Sequence, residues 1–178
     1  MKLKDRIVVV TGSGSGIGRA CALEFAGAGA IVIVADIILE GADETVRQIH
    51  DKGGVAVAFK TDVSDPESVM QLVDFTIKNY SRIDALINNA AIQINKTVAD
   101  ITFEEWNRQM SINVGGIFLC SKYFLPYLRQ TGGNIVNMSS VNGFFVEPMC
   151  AGYCTTKAAI IGLTKAMGIF TKYSTWAA

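Results

Sequence analysis

A β-branched run, Arg6–Thr11 (RIVVVT), leads straight into Gly12-Ser13-Gly14-Ser15-Gly16-Ile17-Gly18 and then into a helix-like stretch. No other feature constrains the fold as tightly. A strand that turns at glycines into a helix brings the helix N-terminus to the carboxyl end of the strand. Free N–H groups and partial positive charge gather there, and glycines let a pyrophosphate approach the backbone. Many tight turns carry a glycine cluster, so the surroundings decide the matter. Here a second apolar run, Ala30–Asp36, follows and ends on an acid eighteen residues beyond Gly18. Asp36 is placed to accept hydrogen bonds from a ribose diol, so the segment is expected to hold a dinucleotide. A carboxylate there would repel a 2′-phosphate, and its neighbours Ile37 and Ser15 bring no cation. NAD is therefore favoured over NADP.

The same alternation continues along the chain. Helices are expected over Ile17–Ala28 and Glu40–Lys52, and a third strand over Val55–Lys60. Ser64-Asp65-Pro66-Glu67 is a helix start, with Ser64 as the expected N-cap and the helix running to Tyr80. A fourth strand, Asp84–Asn88, precedes a long helix over Glu104–Gln130. That helix has an apolar stripe through Met110, Val114, Ile117, Phe118, Ser121, Phe124, Leu125 and Leu128. A fifth strand, Asn134–Met138, and a helix from Tyr153 onward complete the pattern. Continuous apolar strands separated by helices imply a parallel sheet covered on both faces. The expected fold class is α/β, a Rossmann-type doubly wound sheet, as one domain over residues 1–178.

Composition narrows the function. Half of the 178 residues are apolar, and sixteen basic residues balance sixteen acidic ones. No basic stripe offers itself to nucleic acid or to an anionic membrane. The apolar run after Met1-Lys2-Leu3-Lys4-Asp5-Arg6 is too short for a signal peptide or a membrane span, so a cytoplasmic location is expected. Cys21, Cys120, Cys150 and Cys154 form no C-x-x-C pair and His50 is the only histidine, so no metal site is expected. Cys150 and Cys154 flank Tyr153, where a redox role is conceivable, but small packing thiols are the expected reading.

Tyr153 and Lys157 are four apart, about one helical turn, and Tyr153 stands thirteen positions after Ser140. An ammonium beside a phenol favours the phenolate, which suits the pair to exchanging a proton with a hydroxyl or carbonyl. With these residues in place the chain resembles the short-chain dehydrogenase/reductase family over about residues 3–167. Thr11, Gly12, Gly16 and Gly18 match its T-G-x-x-x-G-x-G. Asn88-Asn89-Ala90-Ala91 matches its N-N-A-G with alanine in last place. Asp62-Val63, Asn113, Ser139-Ser140 and Tyr153-x-x-x-Lys157 fall at the family's positions. The related epimerase/dehydratase group shares Y-x-x-x-K but usually has tighter glycine spacing, and ranks below.

The resemblance implies an NAD(P)-dependent oxidoreductase acting on a secondary alcohol or ketone. Its implied cofactor contacts are Gly12, Ser15, Gly16, Ile17, Gly18, Asp36, Asp62, Val63, Asn89, Tyr153 and Lys157. Its implied catalytic residues are Ser140, Tyr153, Lys157 and Asn113, the last holding a water in a proton relay. The substrate is expected over Gln93–Ala99 and Asn142–Gly152, where Phe144, Phe145, Val146 and Met149 suggest a mainly apolar pocket with Glu147 as its one acid. A homodimer or homotetramer is implied by the long helix and the Tyr153 helix, which pair across an axis in this family.

One departure stands out. The fold type typically has six strands, and five are recognisable. The family's later Pro-Gly motif and final strand are not found, since Pro66, Pro126 and Pro148 are the only prolines and none precedes glycine. Ile169–Ala178 also leaves the family pattern. The sequence is thus expected to be C-terminally incomplete, with the fifth strand exposed as an edge. The alternatives to a working enzyme are a cofactor-binding module with little turnover and a product that folds poorly.

Overall fold

The computed structural model describes residues 2–173, with side chains through residue 168. Of the departure expected at Ile169–Ala178, only the backbone through Tyr173 falls within these bounds. Five strands form one parallel sheet: β1 (Ile7–Thr11), β2 (Ile31–Asp36), β3 (Val55–Lys60), β4 (Ala85–Asn88) and β5 (Asn134–Asn137), in the order β3-β2-β1-β4-β5. The α/β doubly wound class read from the sequence is the observed one.

Both faces of β1 are buried, and its alternation divides the core. Val8 and Val10 join Val32, Val34 and Ile87 beneath α1 (Gly16–Gly27) and α2 (Leu39–Asp51). Ile7 and Val9 face the other way, with Ile33, Leu86, Leu72 and Phe124, beneath α3 (Pro66–Tyr80) and α5 (Gly116–Thr131). Alternation within one strand thus feeds two separate apolar layers. Cys120 is packed into the second layer, where burial pushes its thiol up to about 12.

α3 does not begin as expected. Asp65, not Ser64, is the N-cap, accepting from the Glu67 N–H at 3.1 Å. The Ser64 hydroxyl is already committed, donating to Asp62 Oδ1 at 2.6 Å. The long helix also differs. α4 (Phe103–Met110) starts at a capping box between Thr102 and Glu105, and a π turn over Ser111–Gly115 separates it from α5. Phe118, expected on the apolar stripe, is 50% exposed. The last helix, α6, runs Ala151–Tyr173.

β5 pairs with β4 alone among the described strands, and Val136 on it is 44% exposed. A groove of about 580 Å³ lies beside it, lined in part by Leu125, Leu128, Ile135 and Met167. The expected exposed edge is therefore present.

Asp84 ties β1 to β4 at their starts. Its carboxylate accepts from Arg6 Nη1 (2.7 Å), the Ile7 N–H (2.9 Å), and Arg82 Nε and Nη2 (2.9 and 2.6 Å). Burial pushes this carboxyl up, but Arg82, the Ile7 N–H and Arg6 outweigh burial and hold it below its ordinary value. A depressed carboxyl contributes stability above its unfolded pKa of about 3.9 and loses it as pH falls through the folded value. Asp84→Asn is expected to cost about 1–3 kcal/mol near pH 7. Melting curves should show a constant gap between the two proteins from pH 5 to 8 that narrows below pH 4. A gap that persists unchanged in acid would mean the carboxylate's charge is not what stabilises the strand starts.

Candidate active site

At the carboxyl ends of β1, β2 and β4 lies a cavity of about 490 Å³. One wall is the glycine turn. Gly12 and Gly16 have φ of 63° and 53°, values that L side chains rarely adopt. Gly18 is closed in from behind: a Cβ there would lie 2.2 Å from the Gly12 carbonyl oxygen. The turn therefore folds tightly on itself and leaves its outer side open. α1 begins here at N-cap Ser15, whose side chain makes no capping bond. α3 and α4, by contrast, are capped by their own side chains. The first N–H groups of α1 have no intrahelical partner and face a cavity, which is the donor set an anion needs.

The next wall comes from β2 and β3. Asp36 accepts from the Gly14 N–H at 2.8 Å through Oδ2 and from the Ile38 N–H at 2.9 Å through Oδ1. Both oxygens are held in place, and each keeps lone pairs for a further donor. Arg19 is the nearby cation, but it lies behind the turn, bonded to the Gly14 carbonyl and to Thr45 Oγ1. Asp62 is fixed by the Ser64 N–H (2.9 Å) and hydroxyl, and Val63 beside it is buried.

β4 closes the centre. Asn89 Nδ2 donates to the Thr11 and Gly12 carbonyls, each at 3.0 Å, while Thr11 Oγ1 accepts from the N–H groups of Asn89 and Ala90. The Asn89 side chain lines the cavity but spends its amide on the glycine turn. Asn88 turns inward to Asn137 and Ser121.

Tyr153 and Lys157 line the far end. Lys157 Nζ lies 5.4 Å from the Tyr153 ring centroid and donates to the Met138 carbonyl at 2.8 Å. Burial lowers the pKa of this ammonium. Ser139 Oγ donates to the Lys157 carbonyl at 2.8 Å and fixes α6 against the end of β5.

Two expected site residues do not line the cavity. Asn113 is fully buried in the π turn. Its Oδ1 accepts from the Ile92 N–H at 2.8 Å, and its Nδ2 donates to the Ile92 carbonyl (2.9 Å) and Thr156 Oγ1 (3.1 Å). From within this π turn the side chain reaches the chain after β4. Ser140 sits just beyond the lining residues Met138 and Ser139, and its Oγ accepts from the Asn142 N–H at 3.2 Å. That bond occupies a lone pair and leaves the hydroxyl hydrogen free to donate elsewhere. Ile112, Met138 and Arg108 also line the cavity and were not foreseen. Only Ile112 carried a signal, as the neighbour of Asn113.

The two loops expected over a substrate do meet. The Ala151 N–H donates to the Lys96 carbonyl, and Gln93 Nε2 reaches Cys150 Sγ at 3.4 Å. Phe144, Phe145, Val146 and Met149 are all more than half exposed, so they do not pack the loop's own interior.

The cavity therefore combines an uncapped helix N-terminus, a fixed acid at the end of β2, and a tyrosine–lysine pair. Its donors and acceptors fit a dinucleotide. Comparison with known proteins agrees. A family model described as short chain dehydrogenase matches residues 6–173. The chain is 36% identical over 169 residues to meso-2,3-butanediol dehydrogenase of Serratia marcescens, covering 95% of this chain and 66% of that protein. It is 35% identical to a 3-oxoacyl-acyl-carrier-protein reductase of Thermotoga maritima, covering 93% of this chain and 68% of that protein. The chain thus spans about two thirds of the length of these curated relatives. A crystal structure assigned as a short-chain dehydrogenase/reductase from Burkholderia xenovorans superposes with a TM-score of 0.91 at 31% identity, covering 98% of this chain and 71% of that one. On the glycine turn, the parallel sheet and these matches together, the chain belongs to the short-chain dehydrogenase/reductase family.

Proposed function

We propose that this chain binds a nicotinamide dinucleotide and oxidises a secondary alcohol, or reduces a ketone, at the Tyr153 end of the cavity. One observation carries the reading: the same cavity is lined by the uncapped N-terminus of α1 and by the Tyr153–Lys157 pair. The bound nicotinamide would supply hydride transfer. The residues of this chain would do the rest. Gly12, Ser15, Gly16, Ile17 and Gly18 would hold the pyrophosphate by backbone donors. Asp36 would hold the adenosine ribose, with Asp62 and Val63 beside the base. Because Asp36 would face that ribose and Arg19 is engaged elsewhere, NAD would be preferred over NADP.

Tyr153 would exchange a proton with the substrate oxygen. Ser140, its lone pair satisfied by Asn142, would donate to that same oxygen. Lys157 would hold the nicotinamide ribose. Asn113 would act from outside the cavity, fixing the Ile92 backbone over which the proton relay runs. A diol in one relative's name and an oxoacyl group in the other's both suit an alcohol or ketone substrate. The exposed Phe144, Phe145, Val146 and Met149 favour one with an apolar part. The apolar residues along α5 and α6, including exposed Phe118, support a homodimer or homotetramer.

The test is a fluorescence titration with NADH and NADPH, followed by turnover on a panel of secondary alcohols and ketones. Tighter binding of NADH, with turnover on apolar members of the panel, is expected. Binding without turnover would leave a nucleotide-binding module, and absence of binding would end the proposal.

A further inference from the structure

Arg108 is the unforeseen member of the cavity wall that carries charge. Its helix is firmly held. Thr102 and Glu105 cap α4, Glu105 pairs with Lys96 at 2.7 Å, and buried Gln109 donates to the Ile92 carbonyl. The Arg108 side chain itself is exposed and makes no hydrogen bond or ion pair among the described residues. Glu105 is committed to Lys96, and no ion pair joins Glu104 to Arg108. Nor does either cavity carboxylate take it: Asp36 is bonded to the Gly14 and Ile38 N–H groups, and Asp62 to Ser64. The cavity therefore has two lining cations at separate places, buried Lys157 beside Tyr153 and exposed Arg108.

The helix fixes where Arg108 stands. Gly116 abuts Val63, since a Cβ at Gly116 would lie 2.7 Å from Val63 Cγ2. Ile112, four residues earlier, lines the cavity, and Arg108, four earlier again, lines it too. The step from Arg108 to Ile112 is about one α-helical turn, and the step from Ile112 to Gly116 runs through the π turn. The row starts where Gly116 meets Val63, in the turn after β3, and its next two members, Ile112 and Arg108, line the same cavity as Asp62 and Val63. With Asp62 and Val63 proposed to lie beside the base, the part of a dinucleotide nearest this row is its base. A guanidinium is planar, weakly hydrated and suited to stacking on an aromatic face.

We infer that Arg108 closes the outer side of the base-binding end and stacks on the adenine of the bound dinucleotide. The inference rests on the dinucleotide reading of the cavity. It is tested by displacing NADH fluorescence with NAD, 5′-AMP, adenosine and nicotinamide mononucleotide, in the wild type, Arg108→Ala and Arg108→Lys. Arg108→Ala is expected to weaken NAD, 5′-AMP and adenosine by the same factor, roughly three- to tenfold. Nicotinamide mononucleotide should be unaffected. Arg108→Lys should fall short of the wild type for adenosine, because an ammonium keeps the charge and loses the plane. Nucleotide-free melting should be unchanged in both variants. Equal adenosine affinity in wild type and Arg108→Ala overturns the inference. A loss for 5′-AMP but not adenosine also overturns it, assigning Arg108 to phosphate. A wild type that binds neither NAD nor adenosine defeats the underlying reading instead.

Discussion

Tyr153→Phe is expected to lower turnover by about two to four orders of magnitude while NADH affinity stays within about twofold. Positioned general acid–base groups contribute on that scale. The variant isolates the proton transfer because so little else changes. The Tyr153 hydroxyl has no hydrogen-bond partner within the protein among the described residues, so its removal orphans nothing. Lys157 keeps its bond to the Met138 carbonyl at 2.8 Å, and Ser140 keeps its bond from Asn142. The ring that faces Lys157 Nζ at 5.4 Å also remains. Stopped-flow turnover beside a fluorescence titration would read both quantities. Turnover close to wild type would remove Tyr153 from the chemistry. An equal loss of NADH affinity would recast it as a cofactor-binding residue.

Gly18→Ala should make the closest clash of the glycine-to-alanine changes among the described residues. The new Cβ would lie 2.2 Å from the Gly12 carbonyl oxygen, 2.5 Å from Asn89 Nδ2 and 2.8 Å from the Gly12 carbonyl carbon. Two of these are backbone atoms of the turn itself, so no flexible side chain can swing aside. The third is the amide that staples the turn to the end of β4. The expected cost is about 3 kcal/mol, at the upper end for overpacking. That corresponds to a melting temperature lower by roughly 6–12 °C. NADH affinity should fall at least tenfold, because the displaced turn is also the expected pyrophosphate cradle. Gly162→Ala provides the opposite sign. Gly162 is exposed within α6 and a Cβ there meets nothing within 4 Å. The same methyl should stabilise by about 0.5–1 kcal/mol, since alanine loses less backbone entropy on entering a helix. Calorimetry of the two variants checks both. A Gly18→Ala protein that melts with the wild type would mean the turn yields more readily than its geometry implies.

Asp36 and the glycine turn were legible because each depends on its own neighbours: a strand that ends, a turn that needs positive φ, an acid at a strand terminus. The α3 cap was misread because Ser64 and Asp65 are both good caps on local grounds. What separated them was Asp62, which takes the Ser64 hydroxyl and leaves Asp65 to meet the Glu67 N–H. The Thr102–Glu105 capping box was written in the sequence as T-x-x-E, yet the helix was expected to begin only at Glu104. The π turn had no sequence signal, because the pull on Asn113 comes from the backbone of Ile92, twenty-one residues away.

The sequence by itself determined the strand–turn–helix order, the apolar alternation that makes a sheet buried on both faces, and the spacing of Tyr153 and Lys157. These follow from steric and hydrophobic preferences that act over a few residues. The tertiary structure alone decided which residues share the cavity. It withdrew Asn113 into the core, kept Ser140 just outside the wall, and brought Arg108 and Ile112 into the lining of the cavity. The reason is that these positions are set by contacts between distant segments: α4 and the π turn against the chain at Ile92, and α5 against the turn after β3. Such packing is decided by shape and close approach, as at Gly116 and Val63, between residues that lie far apart in the chain.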